Sequence, residues 1–183
     1  DVPQQDGGQW DMVVALFEKY GVVPKTVYPE SVSSSASREL NQYLNKLLRQ
    51  DAQILRELIA QGADGATVQN KKEELLQEIF NFLAMNLGLP PQSFDFAYRD
   101  KDNHYQSDKN ITPKAFYQKY VNLDLSDYVS IINAPTVDKP YGQSYTVEML
   151  GNVVGGPAVK YLNLDMKRFK ELAIAQMKSG ETV

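Results

Sequence analysis

The sequence predicts an α+β fold that is predominantly helical. Two long amphipathic stretches, one following Ser33 to Ser35 and one beginning near Thr67, repeat apolar residues at helical spacing around a short glycine-bounded turn. Aromatic residues at Phe94, Phe96 and Tyr98 then alternate with polar or small ones, which is the period of a strand. A chain of 183 residues is long enough to bury on the order of 70% of its unfolded surface as one domain.

The elements follow in order. From Gln9 to Tyr20, Val13, Val14, Leu16 and Phe17 mark a short helix that Gly21 stops, with Pro24 beyond it. Val22 to Tyr28 is extended or irregular, because Pro29 disfavours helix at the residue before it. Ser33, Ser34 and Ser35 supply candidate N-caps for a long helix whose stripe contains Leu40, Leu44, Leu47, Ile54 and Leu58 and which ends at Gly62. Asp51 interrupts that stripe and is a candidate bend. After the turn Gly62 to Gly65, a second helix from about Thr67 carries Leu75, Leu76, Ile79, Leu83 and Leu87 inward and stops at Gly88 before Pro90-Pro91. The two helices are expected to pack as an antiparallel hairpin. Phe94 to Tyr105 reads as a β-hairpin turning at Asp102-Asn103. Thr112 as N-cap and Pro113 at the first helical position start a short helix through Phe116 and Tyr120. Strands are expected at Tyr128 to Ile132 and Tyr145 to Leu150. A last helix runs from about Asp165 to Lys178, with Phe169, Leu172, Ala173 and Met177 inward, before Glu181-Thr182-Val183 enters a strand pattern.

Composition excludes several classes. The net charge of −4 and the pI near 5.1 oppose a nucleic-acid partner, which calls for a basic face. Lys71-Lys72 is followed at once by Glu73-Glu74, the pattern of a solvated helix face. No apolar run reaches the roughly 18 residues of a membrane span, and the first residues lack the two regions of a signal peptide, so a cytoplasmic location is expected. The absence of cysteine removes disulfides, thiolate metal sites and a thiol nucleophile from this stretch.

Constellations with catalytic or metal-binding chemistry resolve to structural readings. His104 is the one histidine, in Asp102-Asn103-His104-Tyr105 beside the hairpin turn, and zinc needs more nitrogen, sulfur or carboxylate ligands than this offers. Asp100-Lys101-Asp102-Asn103 starts like a calcium loop, but Tyr105 stands where glycine is needed and Ile111 where the bidentate glutamate belongs. Gly142-Gln143-Ser144-Tyr145-Thr146 lacks the second glycine of a nucleophile elbow. Gly151-Asn152-Val153-Val154-Gly155-Gly156 lacks the glycine spacing of a dinucleotide loop. No cofactor, metal or catalytic residue is assigned. Gly7-Gly8 stays open between two roles: without Cβ atoms these residues either admit an extended peptide or relieve a tight turn before the helix.

The segment Asp6 to Glu30, DGGQWDMVVALFEKYGVVPKTVYPE, closely resembles the bleomycin hydrolase and aminopeptidase C family of papain-like cysteine peptidases. The likeness continues through Ala97-Tyr98-Arg99-Asp100-Lys101-Asp102-Asn103, Ile111-Thr112-Pro113 with Phe116-Tyr117, Tyr145-Thr146-Val147-Glu148, Gly155-Gly156 and Met177-Lys178-Ser179-Gly180-Glu181, in consistent order. In that family the nucleophilic cysteine precedes the Gly-Gly segment, and its histidine and asparagine partners follow the Gly-Glu end. The resemblance thus implies an internal segment of a peptidase that lacks all three, and a chain without an initiator methionine fits a truncated piece.

Carried over residue by residue, the resemblance implies that Gly8 pairs its backbone with an extended substrate, strand-fashion, and that Gly7 permits the approach. It implies that Gln9 and Trp10 help wall the pocket for the second substrate residue from the scissile bond. Papain has an aromatic followed by proline there, so the selectivity of that pocket does not transfer, and Trp10 serves equally well as a core aromatic. The family fold divides the chain into a left-domain piece at 1–30, a helical insertion at 31–125, and strands and a helix leading to the right domain at 126–183. The family also implies removal of N-terminal residues through an acyl-enzyme, an intracellular homohexamer, and as partners a peptide substrate and the remaining peptidase polypeptide. A self-sufficient helical interaction or oligomerisation module is the competing expectation.

Overall fold

The computed structural model describes residues 3, 4 and 7–180. The strand pattern at Glu181-Thr182-Val183 lies outside them. The described residues form two compact units: Val23–Asn110 with the residues before Gly8, and Gly8–Val22 with the residues from Ile111 on.

The first unit is built on a helical hairpin. Ser31 caps a one-turn helix, α2 (Val32–Ser35), by accepting the Ser34 N–H at 3.0 Å. The serines expected to cap the long helix are therefore the interior of a separate turn that Ser31, two residues before Ser33, caps. The long helix α3 (Arg38–Ala60) begins after Ser37 and runs through Asp51 without interruption. Gly62, at φ 82°, makes the left-handed turn that reverses the chain. Asp64 then accepts the Thr67 N–H at 2.7 Å and starts α4 (Gly65–Leu87), two residues earlier than expected.

Helices α3 and α4 pack against each other, with Leu40, Leu44 and Leu75 buried. Leu76, expected inward, is 52% exposed, since the next residue along a helix turns away from the face that Leu75 occupies. A second contact anchors the end of α4, where the Tyr28 hydroxyl donates to the Leu87 carbonyl at 2.9 Å. The hairpin of β1 (Phe94–Arg99) and β2 (Tyr105–Ile111) completes this unit, with Phe94 buried.

The second unit joins α1 (Trp10–Tyr20) to a small sheet. Thr112 caps α5 (Pro113–Phe116) by accepting the Ala115 N–H at 3.2 Å, and the helix widens into a π-helical turn over Tyr117–Val121 before left-handed Asn122 ends it. The sheet has the order β3-β5-β4, where β3 is Ile131–Ile132, β4 is Ser144–Thr146 and β5 is Lys160–Asn163. β5 pairs parallel to β3 through Ile131 and Leu162 and antiparallel to β4 through Tyr145 and Tyr161. Both expected strands are thus shorter, and their shared partner β5 was absent from the sequence reading. Met149, at φ 59°, leaves the extended region and ends any continuation of β4 toward Leu150. Asp165 caps α6 (Met166–Lys178) by accepting the N–H groups of Lys167 and Arg168, each at 3.0 Å. Met177 is 68% exposed where burial was expected.

Candidate functional site

The first turn of α1 carries the residues singled out for substrate contact. Gly8, Gln9 and Trp10 belong to the second unit, and Gly7 closes the first. Both glycines are exposed. A Cβ added to Gly7 would meet no atom within 4 Å, and one added to Gly8 would meet only the Met12 sulfur at 3.6 Å. Neither glycine has a positive φ, so the folded chain itself does not demand glycine at either place. Among the described residues, the N–H and C=O of Gly8 take no hydrogen-bond partner. A bare, unpaired backbone segment of this kind can accept a strand-like peptide.

Gln9 is the N-cap residue of α1, with extended φ and ψ of −106° and 159°. Its carbonyl accepts the Met12 N–H at 3.0 Å, and its own N–H faces the Met12 sulfur at 3.4 Å. Trp10 is 39% exposed, and its ring lies 5.5 Å from that of Tyr128 at a 51° tilt. The side chain is therefore part packed and part open to solvent. Sequence reasoning missed Tyr128 as its companion; nothing local signals a pairing made across so many residues.

Two further residues brace the turn. The Lys160 N–H donates to the Asp11 carboxylate at 2.9 Å, and the Asn152 side-chain amide donates to the Met12 carbonyl at 3.3 Å. A cavity of about 350 Å³ lies alongside, lined by Asp11, Val14, Tyr128, Pro157 and Lys160 among others.

The hairpin turn gathers Asp100, Asp102 and His104, whose ligating atoms all lie within 4.8 Å of one another. Its geometry is that of a self-organised turn. Asp100 accepts the N–H groups of Asp102 and His104 at 3.0 and 2.9 Å and the Gln106 amide at 3.1 Å. The backbone bond from His104 leads the causes that hold the Asp100 carboxyl below its ordinary range. His104 is exposed, with Nδ1 at 3.7 Å from Asp100.

The α+β arrangement, a helical hairpin in one unit and a small mixed sheet in the other, is that of a papain-like peptidase. A family model described as the peptidase C1-like family matches residues 1–183, and the chain belongs to that family. It is 80% identical over 183 residues to an aminopeptidase C of Streptococcus thermophilus, covering all of this chain and 41% of that protein. It is 70% identical over 181 residues to an aminopeptidase C of Lactococcus lactis subsp. lactis, covering 99% of this chain and 41% of that protein. The crystal structure of PepW from Lactobacillus rhamnosis HN001 superimposes with a TM-score of 0.93 at 59% identity, over 98% of this chain and 40% of that one. The chain thus spans about two fifths of the length of the relatives it matches.

Proposed function

We propose that this chain is an internal segment of a thiol-dependent aminopeptidase and supplies substrate-facing backbone and scaffold rather than the reacting groups. The observation that carries this reading is the combination of 80% identity along the whole chain to an aminopeptidase C with the absence of any cysteine in these 183 residues. In the whole enzyme, a cysteine thiolate from polypeptide outside this segment attacks the peptide carbonyl, and a histidine, oriented by an asparagine, protonates the departing amine. Water then resolves the acyl-enzyme. Gly8 offers its N–H and C=O to the peptide lying in the cleft, Gly7 leaves room for that approach, and Gln9 and Trp10 wall the adjoining pocket. The whole enzyme is a cytoplasmic homohexamer with peptides as substrate.

The test has two arms. The isolated chain, incubated with aminoacyl fluorogenic substrates, gives no iodoacetamide-sensitive turnover. Grafted in place of the matching residues of the Streptococcus thermophilus aminopeptidase C, it supports turnover that iodoacetamide abolishes. Activity in the isolated chain, or an inactive but folded graft, overturns the reading.

A further inference from the structure

We propose that Asp11 and Asn152 are positioning residues that hold the substrate-facing backbone at Gly8, an inference that rests on the reading of Gly8 above. Gly8 directly precedes the N-cap Gln9, whose carbonyl takes the Met12 N–H at 3.0 Å, so Gly8 is carried on the first turn of α1. Each of the next three residues of that turn is tied to a different distant segment. Trp10 packs its ring at a tilt against that of Tyr128, Asp11 accepts from the Lys160 N–H at 2.9 Å, and the Met12 carbonyl accepts from Asn152 at 3.3 Å.

The anchor points are firm. Lys160 opens the middle strand of the sheet, directly after Val159, which is 2% exposed and whose carbonyl takes the Thr146 hydroxyl bond at 2.6 Å. The cavity of about 350 Å³ lies between, lined by Asp11 and Val14 on the helix and by Pro157 and Lys160 opposite. The bond from Lys160 to Asp11 joins the two walls of that cavity, and the bond from Asn152 to the Met12 carbonyl adds a second tie. A peptide pairing with Gly8 meets its partner groups only while they hold. Small displacements of a binding backbone weaken substrate binding and the oriented complex steeply.

The charge of Asp11 also favours the positive end of the helix dipole, and the experiment must separate that from the hydrogen bond. In the full-length enzyme, Asp11→Ala raises KM about 10-fold while kcat stays within about 2-fold, the signature of lost binding common to ground and transition states. Asp11→Asn keeps an acceptor oxygen for the Lys160 N–H without the charge, and returns KM to within about 3-fold of the parent. Asn152→Ala raises KM about 3-fold, and because this residue is exposed the variant keeps the test alive should Asp11→Ala fail to fold.

Gly8→Ala tests the underlying reading separately. The fold accepts the new methyl, so a raised KM reports the approach of substrate, and combining it with Asp11→Ala gives less than the product of the two effects. An unchanged KM in Gly8→Ala removes the reading itself. A raised KM there overturns the positioning role alone when it is joined by parental kinetics in Asp11→Ala and Asn152→Ala, by Asp11→Asn as impaired as Asp11→Ala, or by multiplicative effects in the double variant.

Discussion

Asn163 and Ala134 exchange a reciprocal pair of hydrogen bonds: the Asn163 Oδ1 accepts the Ala134 N–H at 2.8 Å, and its Nδ2 donates to the Ala134 carbonyl at 3.1 Å. The same amide reaches the Lys139 carbonyl at 2.7 Å, and the main chain of Asn163 bonds Gly142 and Gln143 at 2.8 and 3.0 Å. One side chain with no solvent exposure thereby organises the loop between β3 and β4. Asn163→Ala strands the two Ala134 groups and the Lys139 carbonyl, and is expected to destabilise by about 3 kcal/mol. Asn163→Asp does no better, because a carboxylate has no hydrogen for either carbonyl. Thermal unfolding of the full-length enzyme measures both; an unchanged midpoint in either variant contradicts the account.

Gly21 and Gly62 both have positive φ, 76° and 82°, yet they predict different outcomes. A Cβ on Gly21 would lie 2.3 Å from the Pro113 carbonyl carbon and oxygen and 2.4 Å from the Lys114 nitrogen, all backbone atoms that cannot step aside. A Cβ on Gly62 would meet nothing within 4 Å. Gly62→Ala is expected to lose about 1 kcal/mol from its backbone conformation alone, and Gly21→Ala at least about 3 kcal/mol because α1 must part from α5. Equal losses in the two variants would sink the argument.

Asp51 sits midway along α3, and its carboxyl is held above the ordinary carboxylate range, first by desolvation and then by Glu78 across the hairpin, with Lys71 opposing. A raised folded-state value means that the ionised form is disfavoured in the fold. The penalty is fully present above the folded-state value and disappears as pH falls below the unfolded value. Asp51→Asn is therefore expected to stabilise by a few tenths of a kcal/mol at neutral pH, discounted for solvent screening, and by nothing below about pH 4. Midpoints recorded across pH give the difference curve, and a gain that grows on acidification contradicts the sign.

Leu76 at 52% exposure and Phe80 at 51% lie four residues apart on one face of α4. Apolar surface grouped in this way drives association when nothing covers it. The isolated chain is expected to sediment as a polydisperse species. A monodisperse monomer with a cooperative melt would instead favour an autonomous helical module.

The helices were legible because each announces itself locally. The glycine stops at Gly21, Gly62 and Gly88, the Thr112-Pro113 start and the Asp165 cap all act within one turn of chain, and each stands at its expected end. The misplaced features depend on a neighbouring cap or on partners. Ser31 caps a separate one-turn helix that takes up Ser33, Ser34 and Ser35 before the long helix begins. β5 exists because β3 and β4 flank it, and four residues with a single inward polar side chain, Asn163, carry no period that reveals a strand.

The candidate site divides in the same way. The sequence by itself determined that Gly7 and Gly8 precede a helix, that no thiol is available in these residues, and that the chain resembles a peptidase family, because composition and order are properties of the chain alone. Only the tertiary structure decided that Gly8 has a backbone without partners among the described residues, and that the turn carrying it is tied to Tyr128, Asn152 and Lys160. Hydrogen bonds spanning 140 and 149 residues cannot be read from local pattern, since they form only when packing brings remote groups within 3 to 3.5 Å.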